Sequence, residues 1–320
     1  MSLPQDLATV EPVPHGQTAR RLDWLLLPPM LRRLIESRLG STVVSADSAG
    51  AGFTPGFASV LTGRDGSRQF VKAASKKAQA PFADSYREEI RKLRLLPDGL
   101  PVPRLLWSHE DDLWVVIGLE YVDAPNPARP WARAELDACL DSLEALADRL
   151  TPPPPGLDPA AFAEDFETFR TGWAYVREHS PDWPHLEEAA ALADRMDEVT
   201  RGDTLVHTDG RDDNFLLPAG GPALLCDWNW PVVGAAWIDT VLLLISAYGD
   251  GLDADAVLAE RRLTRDVDPD HVDVLLALVC GYMLECRDRP VPNSSPYLRV
   301  HARWYSEVSW AWLAQRRGWS

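Results

Sequence analysis

The side chains able to carry chemistry gather in residues 204–227, Thr-Leu-Val-His-Thr-Asp-Gly-Arg-Asp-Asp-Asn-Phe-Leu-Leu-Pro-Ala-Gly-Gly-Pro-Ala-Leu-Leu-Cys-Asp. Two apolar runs, 215–217 and 223–226, flank the turn 218–222 and read as a hairpin. A polar loop precedes the first run and Asp227 follows the second, so the hairpin gathers Asp209, Asn214 and Asp227 at one end. Phosphoryl transfer needs such a set. One carboxylate orients or deprotonates an attacking hydroxyl, while an amide and a second carboxylate hold Mg2+ on phosphate oxygens. A lone Asp…Asn pair would be ordinary turn chemistry. Four positions in the right order, His207, Asp209, Asn214 and Asp227, point instead to function.

That chemistry needs a lobe to present the phosphates, and the preceding residues read as one. Runs 42–47, 57–62 and 69–73 are short and β-prone, separated by Gly-rich or Asp-Gly turns, and 105–108 and 114–122 read as two more strands. Gly50, Gly52 and Gly56 lie between the first two runs, where backbone N–H groups could face phosphates, although Gly-Pro clusters mostly just turn the chain. Lys72 sits inside an apolar strand, and by itself it would be an outward-facing residue. The helical pattern at 84–96 carries Glu89, able to fix that lysine, with Glu88 the competitor one residue round the helix.

Taken together, these residues resemble the aminoglycoside phosphotransferase/choline kinase-like family, over roughly residues 40–245. The resemblance rests on 207–214, on Asp227 followed by Trp228, and on Gly234-Ala-Ala-Trp-Ile-Asp239. It implies an α+β, bilobal protein-kinase-like fold and ATP-dependent transfer to a hydroxyl of a small molecule. Asp209 would be the base, Asn214 and Asp227 the Mg2+ ligands, and Lys72 with Glu89 the holders of the α/β-phosphates. His207 would brace the loop, Asp239 would be a structural partner, and 120–122, with Glu120 and Val122, would be the hinge that recognises the nucleotide base. The loop interior Gly-Arg-Asp-Asp departs from the commoner Leu-His-Pro-Gly, which leaves the substrate open. Arg211 is read as pairing with Asp212 or Asp213 rather than reaching phosphate. A protein kinase is disfavoured because no Ala-Pro-Glu-like anchor follows Asp227. An inert nucleotide-binding scaffold would be expected to lack a catalytic position, and none is missing.

The chain has 320 residues and a net charge of −16. Residues 1–120 hold 15 Lys and Arg against 14 Asp and Glu, leaving 17 against 34 for residues 121–320. Such a balance repels nucleic acid and predicts an acceptor bearing an amine or quaternary nitrogen, with Asp212, Asp213 and Glu285 as contacts. No apolar run approaches the roughly 20 residues needed to span a bilayer. The N-terminus lacks a targeting pattern, and four scattered cysteines without a C-x-x-C pair suit a reducing cytoplasm. The division expected is an extension at 1–39, a nucleotide-binding lobe at 40–122 and a helical lobe at 123–320. Helices are predicted at 29–39, 132–150, 159–179, 186–200, 237–248, 271–285 and 297–316. Trp304, Trp310, Trp312 and Trp319 read as packing of the last helix rather than a ligand platform. The oligomeric state is left open.

Overall fold

The computed structural model describes residues 20–50, 56–293 and 295–319. Five runs with alternating or fully apolar inward faces pair into an antiparallel sheet of order β1-β2-β3-β5-β4. They are β1 (Val43–Ser48), β2 (Phe57–Gly63), β3 (Arg68–Ser75), β4 (Leu105–Glu110) and β5 (Trp114–Glu120). Successive side chains leave opposite faces, so the sheet needs a cover on each. Helix α2 (Ala80–Leu93) covers one face with Ala83, Tyr86 and Ile90 against Ala74, Val115 and Ile117. Helix α1 (Pro29–Leu39) and the turn before it cover the other, setting Trp24, Leu27, Leu31 and Ile35 against Phe57, Leu61 and Val71. The described part of the expected extension is therefore a packed layer of this lobe.

Glycine is required where β5 crosses β4, because a Cβ on Gly118 would lie 2.3 Å from the Trp107 ring. The register places Lys72 on β3 opposite Ala58 on β2 and Ile117 on β5, in the middle of the sheet.

The second lobe is helical, beginning with α3 (Arg133–Arg149). The single helix expected over 159–179 is two, α4 (Phe162–Asp165) and α5 (Glu167–His179), broken at Phe166, whose φ −104° and ψ 29° leave helical geometry. The pattern at 186–200 likewise divides into α6 (Leu186–Ala193) and α7 (Met196–Val199), parted at Arg195, which pairs with Asp270 and Glu198. Then come α8 (Ile238–Gly249), α9 (Ala254–Glu260), α10 (Pro269–Asp288) and α11 (Leu298–Arg317). Helix α9 was not foreseen; Asp253 caps it by accepting from the Ala256 N–H.

Helix α10 runs through the core with Val274–Cys280 almost entirely buried. It approaches α5 so closely that a Cβ on Gly172 would lie 2.2 Å from the Gly281 carbonyl carbon. Trp173 Nε1 locks this contact by donating to Ala277 O at 2.8 Å. Trp312 is buried, Trp310 packs edge-on against Trp183, and Trp304 lies under the Arg129 guanidinium, as helix packing predicts.

Two small ladders complete the lobe: β6 (Thr204–Val206) with β9 (Val232–Gly234), and β7 (Phe215–Leu216) with β8 (Leu224–Leu225). The latter is the hairpin read from the sequence. All four cysteines are free thiols. Among the described residues no helix is long and apolar enough to cross a membrane.

Candidate active site

Strand β3 delivers Lys72 and helix α2 delivers Glu89 to the same point between the lobes. Lys72 Nζ donates to Glu89 Oε1 at 2.9 Å and Oε2 at 3.0 Å, and to Asp227 Oδ1 at 2.6 Å. Glu88, the competitor, lies outside and pairs with Arg91. Burial would strip Lys72 of its proton, but Asp227 and Glu89 overcome that and hold it firmly ammonium. Burial pushes the Glu89 carboxyl up to about 7 against the pull of Lys72. Desolvation would raise the half-buried Asp227 carboxyl, yet the Lys72 charge and hydrogen bond keep it below the usual range. A second lysine absent from the sequence reading, Lys92, donates from α2 to Asn229 O at 2.6 Å, so this helix grips the other lobe beside Asp227.

The catalytic loop follows β6 and is held from below. Asp239, at the start of α8, accepts the backbone N–H groups of His207 and Thr208, each at 2.7 Å. Those bonds hold Thr208 at φ 67°, a left-handed conformation that is strained for a β-branched residue. Asp227 stands at φ 66°, so two strained residues border the site.

His207 is 1 % exposed; its Nδ1 accepts from the Asp209 N–H at 3.3 Å and its Nε2 donates to Cys226 O at 2.9 Å. Burial lowers its pKa, which suits a neutral ring making one donor and one acceptor bond. His207 thus lies beneath the loop and positions Asp209; it does not face the nucleotide cleft as a catalytic group would. Asn214 Nδ2 donates to Asp209 O at 2.8 Å and to Asp209 Oδ2 at 3.0 Å. Burial is the main cause that lifts the Asp209 carboxyl to about 6.

Two cavities meet at this loop. A cleft of about 380 Å3 between the lobes is lined by Lys72, Glu89, Asn214 and Asp227. Ala58, Val60, Phe70 and Leu119 from the sheet and Leu216 from β7 supply its apolar walls. Glu120 and Val122 lie at its rim, Glu120 clamped to Arg104 at 2.7 Å. Gly50 follows β1, and Gly56, at φ 133°, precedes β2; Gly52 lies outside the described residues. The N-terminal segment adds an unforeseen side chain, Arg21, which lines the cleft and donates from Nε to Ala49 O at 3.3 Å. A second cavity of about 110 Å3, on the other side of the loop, is lined by Thr208, Asp209 and Arg211 together with α5, α8, α10 and α11.

The acidic contacts expected for a cationic acceptor are already paired. Asp213 binds Arg211 at 3.0 Å, and Glu285 binds Arg289 at 2.5 Å. Asp212, 7 % exposed, binds Arg129 at 3.0 Å. Arg129, invisible as a partner in the Pro-rich stretch, also holds Asp250 on the far end of α8 through Nε (2.5 Å) and Nη2 (2.8 Å). Nearby Asn126 donates to Phe215 O at 2.7 Å, tying the linker to the hairpin. These cross-links join residues more than 80 positions apart, so only the fold reveals them.

Comparisons with known proteins agree with this geometry. By sequence, no curated protein matches the chain significantly. The choline kinase LicA from Streptococcus pneumoniae superposes with a TM-score of 0.60 at 17% identity, covering 89% of this chain and 98% of that one. The spectinomycin phosphotransferase APH(9)-Ia, solved with ADP and spectinomycin, gives 0.60 at 12% identity, covering 91% and 99%. The ADP-bound aminoglycoside phosphotransferase APH(2'')-Ib gives 0.56 at 12%, covering 90% and 99%. At these identities the likeness establishes the bilobal protein-kinase-like fold. The model of the phosphotransferase enzyme family matches residues 56–273, most of the chain and the elements that carry Lys72, Glu89, Asp209, Asn214 and Asp227, and the chain belongs to that family.

Proposed function

We propose that the chain transfers the γ-phosphate of ATP to a hydroxyl of a small molecule, with Asp209 as base and Asn214 and Asp227 as Mg2+ ligands. One contact carries the reading: the Asn214 Nδ2 to Asp209 Oδ2 hydrogen bond at 3.0 Å. It links a residue of the inter-lobe cleft to the carboxylate that lines the second cavity, so nucleotide and acceptor would meet across it.

The donor set suits Mg2+. Asn214 spends its amide nitrogen on Asp209, which leaves its oxygen as the group to offer a cation. Asp227 adds a carboxylate, and Asn229 Oδ1, beside it, is buried without a hydrogen-bond partner. Mg2+ at phosphate sites takes one or two protein oxygens and completes its shell with phosphate and water. When bound, the metal would neutralise the charge that develops on the phosphates.

The protein's own groups do the rest. Lys72, oriented by Glu89, presents its ammonium to the α/β-phosphates, and the backbone of 120–122 meets the base at the rim. Asp209 accepts the hydroxyl proton as oxygen attacks phosphorus. A carboxyl held near 6 is ionised at pH 7 while remaining close to the working pH, the condition for an effective base. The rival readings fit less well. Asp227 is followed by only a short turn, β9 and α8, which leaves no segment to seat a peptide. An inert scaffold would not need Lys72, Asp209, Asn214 and Asp227 all in place.

The test is ADP release from ATP with Mg2+ over aminoglycosides, amino sugars, choline, homoserine and neutral alcohols. Asp209→Asn should lower kcat by roughly 10²–10⁴-fold and leave nucleotide affinity near wild type, whereas Asp227→Ala should weaken binding of Mg2+ and nucleotide. Wild-type kcat should fall as pH drops through about 6, because Asp209 becomes protonated and can no longer accept the proton. Near-wild-type turnover by Asp209→Asn would refute the assignment.

A further inference from the structure

The second cavity has a composition at odds with the acidic lobe around it. Among its lining residues only Asp209 and Arg211 are charged, and they face each other at 3.4 Å. The remaining wall is apolar: Phe166 and Phe169 on one side, Leu242 and Ile245 from α8, and Val279 and Met283 from α10. Tyr305 and His301 of α11 close it. Burial, then the Arg211 charge, holds the His301 imidazole down to about 3, so it adds no cation.

A buried cation would lose its water here and gain little. The one carboxylate that lines the cavity already serves Arg211 and Asn214, and the Arg211 guanidinium would oppose an incoming ammonium. An aromatic cage could still bind such a group if open ring faces surrounded it. The rings are instead engaged with one another. Phe162 and Phe166 lie 4.9 Å apart, Phe166 and Phe169 5.0 Å, and Phe169 stacks on Tyr282 at 4.4 Å and 20°. An uncharged apolar group meets none of these costs. An apolar cavity of about 150 Å3 takes benzene, so about 110 Å3 suits a body of similar or slightly smaller size.

We infer that this cavity receives an uncharged apolar portion of the acceptor, phenyl-sized or branched aliphatic, attached within a bond or two of the hydroxyl that is phosphorylated. The inference rests on the phosphotransferase reading and names its acceptor class. The hydroxyl oxygen forms a bond to the γ-phosphorus as its proton passes to Asp209. The bond from that phosphorus to the β,γ-bridging oxygen breaks, and its electron pair leaves with ADP.

Calorimetric titration of the full chain, saturated with a non-hydrolysable ATP analogue and Mg2+, with benzyl alcohol, cyclohexylmethanol and choline tests this beside turnover of the same compounds. The neutral alcohols should bind and be phosphorylated with kcat/KM at least about tenfold above choline, at low and high salt alike. Met283→Glu, at a half-buried wall position, should cost benzyl alcohol about tenfold in affinity and narrow the gap to choline, with nucleotide affinity unchanged. Tighter binding of choline, or no binding of either neutral alcohol at millimolar concentration, overturns the apolar assignment while any phosphate transfer to choline keeps the kinase reading. Neutral alcohols that bind without any transfer to any hydroxyl overturn the phosphotransferase reading instead.

Discussion

The two sides of Asp209 are built on opposite principles. On the nucleotide side, the Lys72 ammonium is held between the Glu89 and Asp227 carboxylates, whose charges keep it protonated while its own charge favours their ionised forms. On the acceptor side, seven apolar side chains and two neutral ring-bearing residues surround a single charged pair. Under the proposed function, the first arrangement would recognise what every phosphoryl donor shares, a chain of anionic oxygens and a metal. The second would recognise what distinguishes one acceptor from another, its shape and lack of charge. Common chemistry would then be held by coupled electrostatics, and selectivity by packing, where one methylene is worth only about 1–3 kcal/mol.

The largest effect that would sharpen this contrast lies in the support of the acceptor side. Arg129 connects Asp212 in the catalytic loop to Asp250 at the end of α8, with all three side chains about nine-tenths buried. Removing one partner of such a cluster strands the others, at a cost of about 3–5 kcal/mol. Arg129→Ala should lower unfolding stability by that amount in urea titration. The nucleotide side makes no contact with Arg129, so nucleotide affinity of the folded fraction should hold. A loss below about 1 kcal/mol would place the pair among ordinary surface bridges.

The next effect breaks the nucleotide side. Lys72→Met removes the only ammonium shared by Glu89 and Asp227 in the described contacts, and with it a donor to the phosphates. Turnover should fall on the order of a hundredfold. The fold should survive, because burial already lifts Glu89 to about 7 and a proton can take the place of the lysine. Circular dichroism and kcat together check this; unchanged kinetics would reduce Lys72 to a packing residue.

The same contrast explains what could be read in advance. His207, Asp209, Asn214 and Asp227 lie within one short segment, so local spacing groups them, whereas Lys72 and Glu89, 17 positions apart on adjacent elements, stand out only through the family resemblance. The wall of the second cavity comes from five helices and a loop between Phe162 and Tyr305, assembled only by tertiary packing. Phe162, Phe166 and Phe169 fall within the single helix expected over 159–179, whereas the break at Phe166 turns them into a ring cluster at the cavity. Net charge is silent about pairing. Counting residues finds the acidic excess, and the Arg211–Asp213 pair is readable from its spacing, but only the fold brings Asp212 to Arg129, 83 positions away.

The smallest effect is a control within two consecutive residues. Glu88 and Glu89 differ by one step round α2, and their surroundings differ completely: the Glu88 side chain is 48% exposed beside Arg91, and that of Glu89 1% exposed against Lys72. An exposed i,i+3 pair contributes about 0.3–0.5 kcal/mol. Glu88→Gln should therefore shift the unfolding midpoint barely and leave kcat and KM for ATP unchanged. Glu89→Gln keeps the shape but removes the charge that orients Lys72, so it should raise KM for ATP and lower kcat together. Equal behaviour of the two variants would mean that the Lys72–Glu89 contact has no part in presenting phosphate, and the electrostatic account of the nucleotide side would fail with it.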